Sequence, residues 1–318
     1  MRFVTYRHDG EQHLGLLSGD ETVVDLAKAP ALAQALGLQI GPVPADMLGF
    51  IAAGEAALAS ARQLADALAA ESRQAVTADL LGKGVLVRLA EVALLAPIPR
   101  PRKNVFCLGL NYADHAAEGN RVLKRDISLP EVPIFFTKAV TAVTGPGAEI
   151  PLALHATKEL DYEAELGVVI GRQGKNIAAA DAYDYVFGYT IVNDISARDL
   201  QRRHNQWFKG KSLDGTCPLG PHIVHKDELP NPMNLAIASR VNGEQRQHSN
   251  TSRMIFSIPQ TIESLSLGMT LEPGDIIATG TPEGVGFAMQ PPALLHDGDV
   301  VEIEVEGIGI LRNRVRAL

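Results

Sequence analysis

The sequence predicts a mainly β protein of the α+β class, with a smaller N-terminal segment of different character. After residue 103, short segments rich in valine, isoleucine and phenylalanine are separated by glycine and proline, as in strands joined by turns. Near the end of the chain, Val301, Ile303 and Val305 alternate with glutamates, which is the pattern of a strand with one buried face. These features indicate a larger domain of sheets packed or rolled on each other.

Length and composition place a domain boundary near residue 97. A chain of 318 residues exceeds one average domain, and roughly 150 residues per domain predicts two. Proline and arginine cluster at residues 97–102, which suits a linker or the entry to a new domain. We therefore predict an N-terminal accessory domain at residues 1–97 and a larger domain at residues 98–318.

The N-terminal segment combines a strand pattern with helical spacing. Residues 2–17 have the pattern of a strand, with turns expected at Gly15 and Gly19. An alanine-rich stretch at residues 45–78 repeats apolar residues at helical spacing, which predicts one amphipathic helix or two. The repeating apolar residues are Leu58, Ala61, Leu64, Ala65 and Leu68.

Composition and charge are those of an ordinary globular protein. Hydrophobic residues make up 46% and charged residues 21%, and the mean hydropathy is +0.04, which argues against a disordered or fibrous chain. Lysine and arginine number 29 against 37 acidic residues, a net charge of -8. Because nucleic acids select basic surfaces, a nucleic-acid partner is not expected.

Location is predicted from the cysteines and from the apolar runs. Cys107 and Cys217 imply no disulfide framework and fit buried thiols in a reducing cytoplasm. The N-terminus lacks the apolar core of a signal peptide, and no apolar run approaches the ~20 residues that cross a bilayer. We expect a cytoplasmic protein without a membrane partner.

An acidic triplet is the most informative feature of the sequence. Asp161, Glu163 and Glu165 alternate just before an apolar run, and alternate side chains of a strand share one face. Asp194 follows a second apolar segment, at residues 186–192. Neighbouring carboxylates repel unless a cation lies between them, and three such oxygens suit Mg²⁺, Mn²⁺ or Ca²⁺.

Less specific interpretations of these acids stay open. The triplet can be a solvated strand face, with Asp161 the member expected to be exposed. Asp194 can be a cap or turn residue, and Ser196 with Asp199 has the spacing of a helix N-terminal capping arrangement.

A histidine and a glutamate are spaced to form a general base. His115 and Glu118 lie three residues apart, on one face of a short helix or turn. A carboxylate beside an imidazole fixes its tautomer and raises its basicity, which prepares it to activate water. The polar stretch at residues 120–128 has the composition of a mobile lid. The alternative is a surface helix with an ordinary histidine.

Two glycine-containing turns have different interpretations. Residues 209–212 resemble the end of a phosphate-binding loop, but Asn205 stands where that motif requires glycine, so nucleotide binding is not expected. Residues 278–286 include Thr281 and can aim backbone N–H groups and its hydroxyl at an anion. The alternative for this second segment is a tight hairpin turn.

Taken together, the segments at residues 100–318 resemble the fumarylacetoacetate hydrolase family, in its acylpyruvate hydrolase and 2-hydroxyhepta-2,4-diene-1,7-dioate isomerase branch. Six spaced motifs agree in order. They are NYADHAAE, FFTKAVTAVTGPG, DYEAELGVVIG, GYTIVNDISARDLQ, KGKSLDGTCPLGP and GDIIATGTPEGVG. The resemblance implies a mixed β-sandwich roll, a small N-terminal α/β accessory domain and a homodimer.

The resemblance also implies roles for individual residues. The metal ligands would be Glu163, Glu165 and Asp194, binding Mg²⁺ or Mn²⁺, with Ca²⁺ possible. The catalytic residues would be His115, Glu118 and Lys211. The substrate-binding residues would be Arg198, Gln201, Thr281 and Lys138. Lys211 is preferred to Lys209 because the motif asks for a following Ser-Leu.

A reaction follows from these implied roles. We expect hydrolysis of a C–C bond in a 2,4-dioxo acid, an acylpyruvate such as fumarylpyruvate or maleylpyruvate, to pyruvate and a carboxylic acid in the breakdown of aromatic compounds. Water activated by His115 would attack the 4-carbonyl. The alternative is a decarboxylase or isomerase of oxaloacetate or 2-hydroxyhepta-2,4-diene-1,7-dioate. A non-catalytic oxo-acid binding protein is the third hypothesis.

Overall fold

The computed structural model describes residues 1–19, 21–69, 79–123 and 128–318. The predicted N-terminal helical stretch ends within residues 70–78, and the predicted lid includes residues 124–127; these parts of both predictions lie outside the described residues. None of the described helices is long and apolar enough to span a membrane.

Strands dominate the chain after residue 104, as the sequence predicts. The first ten strands are β1 Arg2–His8, β2 Glu11–Ser18, β3 Thr22–Asp25, β4 Leu86–Arg88, β5 Ala93–Leu94, β6 Val105–Gly109, β7 Ile134–Lys138, β8 Val143–Thr144, β9 Glu149–Leu152 and β10 Leu160–Asp161. The others are β11 Ala164–Ile170, β12 Val186–Asn193, β13 Ser196–Ala197, β14 Cys217–His225, β15 Ala236–Val241, β16 Glu244–Asn250, β17 Ile276–Ala278, β18 Val300–Val305 and β19 Gly309–Ala317.

Helices are fewer than strands among the described residues, and they lie mainly in the N-terminal segment and around the candidate site. The α-helices are α1 Ala29–Ala35, α2 Met47–Ala53, α3 Glu55–Ala69, α4 Ala113–Leu123, α5 Arg198–Arg203, α6 Phe208–Lys211 and α7 Ile258–Ser266. The short 3-10 helices are Leu26–Lys28, Leu89–Glu91, Val140–Ala142, Ala179–Tyr185, Lys226–Glu228, Thr251–Arg253 and Gly286–Ala288.

The strands form one large mixed sheet, a five-stranded sheet and a two-stranded ribbon. The large sheet has twelve strands, with the order β4-β3-β2-β1-β14-β12-β11-β17-β6-β7, while β5 pairs with β1 and β8 with β14. The second sheet has the order β16-β15-β18-β19-β9, and β10 pairs with β13. Parallel pairs occur between β17 and β6, β14 and β8, and β19 and β9. The predicted mixed, sheet-rich α+β fold is confirmed.

The large sheet is covered on both faces, so its central strands are buried and carry mostly apolar side chains. On β11, Leu166 and Val168 belong to the core shared with the five-stranded sheet and α7. Val169 points to the other face and belongs to a second core with apolar residues of α1, α2 and α3. This division follows from the alternation of side chains along a strand. It explains why the segment after the acidic triplet carries no polar residue.

The N-terminal segment shares the large sheet with the rest of the chain. Phe3 of β1 pairs with Ile223 of β14, and its ring lies 4.9 Å from the ring of Phe50 and 5.6 Å from that of Phe187. The expected domain boundary at residue 97 remains a prediction, because a shared sheet neither requires nor excludes it.

The turn expected at Gly15 is wrong. Gly15 lies within β2, where a Cβ atom would come 2.3 Å from Val23 Cγ1. The hairpin turns instead at Asp9 and Gly10, both with positive φ, 49° and 84°, as a two-residue turn between right-twisted strands requires. Glycine at position 15 therefore serves close packing and not chain reversal.

The pairing of β11 with β12 brings distant acids together. The strands are antiparallel, and Ala164 at the start of β11 lies opposite Asn193 at the end of β12. The residues next to this pair, Glu163 and Asp194, therefore meet at one end of the strand pair. The backbone N–H of Asp194 donates to the Glu163 carbonyl at 3.0 Å, which fixes that junction.

Candidate active site

Three carboxylates converge where β11 begins and β12 ends. One oxygen from each of Glu163, Glu165 and Asp194 lies within 4.8 Å of the other two, and all three residues are buried. No histidine or cysteine belongs to this group, and a set of carboxylate oxygens suits a hard divalent cation. The three acids singled out in the sequence as metal ligands are thus adjacent, and they are a group that can hold a metal ion.

Two lysines are buried against the same carboxylates. Lys211 Nζ lies 2.8 Å from Glu163 Oε2 and 2.7 Å from Asp194 Oδ2. Lys138 Nζ lies 2.7 Å from Asp194 Oδ1 and donates to the Ile195 carbonyl at 2.9 Å. Lys211 is 2% exposed, because α6 places it at the acids, whereas Lys209 is exposed. Of these two lysines, Lys211 is therefore the one placed at the cluster.

The charges around the three acids favour the binding of a further cation. Burial raises the pKa of Glu165 well above its usual range, and the neighbouring charges of Asp194 and Glu163 raise it further. Burial would also raise the pKa of Glu163, but the positive charges of Lys211 and Arg198 outweigh it and hold the pKa of Glu163 well below its usual range. Repulsion among the three carboxylates thus destabilises mainly the ionised form of Glu165, and a bound cation would relieve it.

The partners of the individual oxygens fit the same conclusion. Asp194 Oδ1 is buried and lies 2.7 Å from the Lys138 ammonium, whereas Glu165 forms no ion pair among the described residues. Glu165 Oε2 accepts from the backbone N–H of Gly280 at 2.8 Å. Oxygens that crowd together without enough donors are the usual environment of a bound cation. The donor set therefore fits a divalent metal.

The expectation that Asp161 is exposed is wrong. Asp161 is completely buried, and Arg198 Nε donates to its Oδ2 at 2.9 Å. The backbone N–H groups of Gly286 and Phe287 donate to the same carboxylate at 2.8 and 3.1 Å. The strand pattern breaks between β10 and β11, so Asp161 is separated from the other two acids and orients Arg198 instead.

The capping arrangement expected at Ser196 and Asp199 is absent. Ser196 lies in β13 and donates to Glu163 Oε1 at 3.0 Å. Asp199 accepts from Thr157 Oγ1 at 2.6 Å and from the backbone N–H of Lys158 at 3.1 Å. Both side chains thus bind to residues distant in the sequence and do not cap a helix. Ser196 holds one oxygen of the acidic cluster through its bond to Glu163.

His115 and Glu118 form the expected pair on α4. His115 Nδ1 lies 2.9 Å from Glu118 Oε1, and Glu118 Oε2 accepts from the backbone N–H of Gly284 at 3.0 Å. Both side chains are largely buried, at 12% and 9% exposure. The segment that follows β17 thus orients the glutamate, and the glutamate orients the imidazole through Nδ1.

A cavity of about 380 Å³ joins these groups, a size suited to a small organic ligand. Its walls include His115, Glu163, Arg198, Lys211 and Thr281. Positive side chains predominate there, which favours an anionic ligand.

Arg198 contributes a positive charge to the wall of this cavity. Its Nη1 lies 2.7 Å from Glu163 Oε1 and donates to Gln201 Oε1 at 3.1 Å, while Nη2 is buried without a partner among the described residues. Its guanidinium stacks 4.5 Å above the ring of Phe287. The free N–H groups of Nη2 can therefore serve a carboxylate ligand.

Several residues around the cavity were missed in the sequence. Phe136 lies under the Lys211 ammonium at 5.1 Å, and Trp207 packs edge-on against Phe136 at 5.4 Å. Gly109 permits this arrangement, because a Cβ there would lie 2.2 Å from the indole. No spacing rule marks these aromatic residues as members of the site, because β7, β6 and α6 meet only in the folded chain.

The fold, the acidic cluster and the six motifs define a class of protein that comparison identifies. Residues 104–316 match the family model described as fumarylacetoacetate (FAA) hydrolase C-terminal. The chain belongs to the fumarylacetoacetate hydrolase family.

Similar proteins extend over the whole chain. The oxaloacetate tautomerase YisK of Bacillus subtilis is 47% identical over 315 residues, covering 99% of this chain and 100% of that protein. A mitochondrial oxaloacetate tautomerase of Homo sapiens is 42% identical over 321 residues, covering 99% of this chain and 91% of that protein. A solved structure of a fumarylacetoacetate hydrolase from Exiguobacterium antarcticum has a TM-score of 0.78 and 36% identity, covering 100% of both chains. A 2-hydroxyhepta-2,4-diene-1,7-dioate isomerase from Mycobacterium marinum has a TM-score of 0.71 and 32% identity, covering 100% of this chain and 98% of that one.

The expected hydrolysis of acylpyruvates is wrong, and so is the assignment to the C–C bond hydrolases. The two full-length relatives from Bacillus subtilis and Homo sapiens are oxaloacetate tautomerases, which agrees with the alternative of an enzyme acting on oxaloacetate. The argument for hydrolysis depended on His115 and Glu118 as a base for water. An imidazole held by a carboxylate accepts a proton from carbon or from a hydroxyl as well as from water. The expected role in the breakdown of aromatic compounds loses its support with the hydrolysis.

Proposed function

We propose that this chain is a divalent-metal-dependent oxaloacetate tautomerase, an enzyme that interconverts the enol and keto forms of that 2-oxo diacid. The observation that carries the proposal is the 47% identity to an oxaloacetate tautomerase over 99% of the chain. The cationic cavity beside a carboxylate cluster supports it, because oxaloacetate is a small dianion with a chelating carboxylate and 2-oxo group. Homodimer formation and a cytoplasmic location are further parts of the proposal.

Glu163, Glu165 and Asp194 would hold the metal, Mg²⁺ or Mn²⁺, with Ca²⁺ also compatible with the oxygen ligands. When bound, such a cation would polarise the 2-oxo group and stabilise negative charge on its oxygen. Lys211, buried against two of the acids, would add a positive charge on the same side of the cavity.

Tautomerisation requires a proton to leave C3 and another to join the 2-oxygen, with no break in the carbon chain. His115 would exchange the proton at C3 through Nε2, since Glu118 holds Nδ1. Arg198 would bind a substrate carboxylate through Nη2, with Gln201 steadying its Nη1. Thr281 and Lys138 would complete the polar surroundings, the first from the cavity wall and the second through Asp194.

The test uses Mg²⁺-loaded protein and freshly dissolved enol oxaloacetate. We expect faster loss of the enol absorbance, faster supply of keto acid to malate dehydrogenase, and no pyruvate. His115→Ala should lower this rate by about 10² to 10⁴, the usual loss for a general base. His155→Ala is the matched control, because His155 is exposed.

Three outcomes would contradict the proposal. Release of pyruvate from oxaloacetate at the rate of enol loss would indicate a decarboxylase. Rearrangement of 2-hydroxyhepta-2,4-diene-1,7-dioate with inert oxaloacetate would favour the second candidate, which the 32% identical isomerase structure supports. If the lifetime of the enol is the same with and without the protein, the chain is better explained as a non-catalytic oxo-acid binding protein.

A further inference from the structure

Gln247 lies in β16 of the five-stranded sheet and is 1% exposed, yet its side-chain amide reaches the candidate site. Its Nε2 donates to Thr281 Oγ1 at 2.7 Å and to the Pro282 carbonyl at 2.8 Å. Its Oε1 accepts from the backbone N–H of Ala164 at 3.0 Å and from Ser239 Oγ at 2.9 Å. All four hydrogen-bonding positions of the amide are therefore used.

The orientation of this amide is determined by its backbone partners. The Pro282 carbonyl can only accept a hydrogen bond, and the Ala164 N–H can only donate one. Nε2 must therefore face Pro282. In a flipped amide Oε1 would face the Pro282 carbonyl, acceptor against acceptor, and Nε2 would face the Ala164 N–H, donor against donor. Because Nε2 also faces Thr281, the Thr281 oxygen must be the acceptor in that bond.

This bond leaves the Thr281 hydrogen free for another acceptor. A hydroxyl has one hydrogen, and among the described residues no acceptor receives the one from Thr281. Thr281 is 3% exposed and forms part of the cavity wall together with Arg198 and Lys211. Its hydroxyl hydrogen is therefore free for a ligand in the cavity, to which it would offer a neutral donor beside two cations.

The same amide connects Thr281 to the acidic strand. Ala164, which donates to Gln247 Oε1, lies between Glu163 and Glu165 in the sequence. The Thr281 hydroxyl is thus held at a set position relative to those carboxylates. Ser239, the fourth partner, lies behind Gln247 on the neighbouring strand β15 and does not line the cavity.

From this geometry, and resting on the proposed function, we propose that Gln247 is a positioning residue. It keeps the Thr281 hydroxyl available as a hydrogen-bond donor to the anionic 2-oxo acid. It also holds that hydroxyl at a set position relative to the strand segment that carries Glu163 and Glu165. Gln247 itself does not touch the substrate.

The first test measures binding and not turnover. Oxalate, an unreactive mimic of the carboxylate and 2-oxo oxygens, is titrated into Mg²⁺-loaded protein by calorimetry. Thr281→Val should weaken oxalate binding about 10- to 100-fold, the effect of a lost hydrogen bond to a charged group, and Thr281→Ser should restore it. Unchanged affinity in Thr281→Val would overturn the proposal, whatever the Gln247 variants do.

The second test reverses the polarity of the bond. In Gln247→Glu, assayed at a pH at which the introduced carboxylate is ionised, that carboxylate can only accept. The Thr281 hydroxyl must then donate to it and present a lone pair to the anion. We expect weaker oxalate binding and a higher KM for oxaloacetate, with a smaller change in kcat. Ser239→Ala, which removes a Gln247 partner away from the cavity, is the matched control and should keep both values.

A double-mutant cycle separates positioning from a general structural role. In the Thr281→Val background, Gln247→Glu should cause no further loss of oxalate affinity, because its effect runs through the hydroxyl. Additive losses would show that Gln247 only stabilises the fold and would overturn the proposal. Intact oxalate binding with the expected cycle, but no tautomerase activity, would instead contradict the proposed function alone.

Discussion

Buried charges at the candidate site are balanced at the level of single side chains. Lys211 Nζ bridges Glu163 and Asp194, and its own surroundings are a compromise: burial would lower the pKa of Lys211, but the two carboxylates raise it well above its usual range. Lys211 therefore stays protonated at neutral pH. Its charge is part of the stability of the folded chain as well as of the site.

Replacement of this lysine should expose that balance. Lys211→Met leaves Glu163 and Asp194 without a bridging cation, which should cost roughly 3–5 kcal/mol of unfolding free energy, as for other broken buried pairs. Added Mg²⁺ should recover part of this loss, because binding to the folded state stabilises it by mass action. Urea unfolding with and without Mg²⁺ measures both effects. Lys209→Met is the control, and an equal loss in that variant would contradict this account of Lys211.

The metal ligands give a second prediction for single residues. Glu163→Gln removes one charged ligand while it preserves shape, so Mg²⁺ affinity measured by calorimetry should fall, on the order of 100-fold. Glu91→Gln alters an exposed acid in the N-terminal segment and should leave the affinity unchanged. Equal Mg²⁺ affinity in the two variants would remove the three acids from consideration as a metal site.

Alternation along the strand was enough to single out Glu163 and Glu165, and it failed for Asp161. The difference is that period-two reasoning assumes an unbroken strand, whereas the chain leaves regular strand geometry between β10 and β11. The bond from Arg198 to Asp161 joins residues that are 37 apart in the chain. A contact of that kind has no local signature.

At the scale of elements, the short helix α6 depends on close contact with α5. A Cβ at Gly210 would lie 2.6 Å from the backbone N of Gln201 and 2.9 Å from the carbonyl O of Ala197. Both are backbone atoms, which cannot move aside as a flexible side chain can. Glycine at this position thus lets α6 lie close enough to bring Lys211 to the acids.

Gly210→Ala should therefore displace α6. We expect a loss of about 1–3 kcal/mol in unfolding free energy, typical of overpacking, together with a lower rate in the enol oxaloacetate assay of the proposed function. Gly82→Ala is the control, since residues 79–82 are helical, none of the described atoms lies within 4 Å of a Cβ at Gly82, and alanine favours helix. Chemical denaturation followed by the fluorescence of Trp207, the single tryptophan, measures the stability of both variants. A Gly210→Ala protein as stable and active as the control would show that close contact between α5 and α6 is not required.

Across the whole molecule, the N-terminal strand and the rest of the chain meet at a buried histidine. His222 lies in β14, the strand that pairs with β1. Burial, with the positive charges of Arg2 and the N-terminal amine, lowers the pKa of His222 to about 4. In the unfolded chain an imidazole has a pKa of about 6.5, so between these values the unfolded state binds more protons.

Stability should accordingly fall as the pH drops through this window. The contribution of His222 is fully present above pH ~6.5 and is lost as the pH falls toward ~4, and the loss between pH 7 and pH 5 should be about 1–2 kcal/mol. Urea unfolding at the two pH values measures it, and His222→Gln should flatten the dependence. His296→Gln alters a histidine that is 80% exposed and should leave it as in the parent protein. A steep dependence that survives in His222→Gln would assign the effect to other groups.

Strand periodicity and spaced motifs are local properties of a chain, so they were enough to predict the sheet-rich class of the fold, the family, and the cluster of acids at positions 163, 165 and 194. The folded chain was needed to show that β1 joins the large sheet, that Asp161 is buried against Arg198, and that Gln247 reaches Thr281. The motifs also could not distinguish between reactions, since the same base and acids can serve hydrolysis and proton transfer alike. The physical reason is common to these cases: contacts between distant segments depend on which strands pair and how the sheets pack, and residue spacing does not encode that choice.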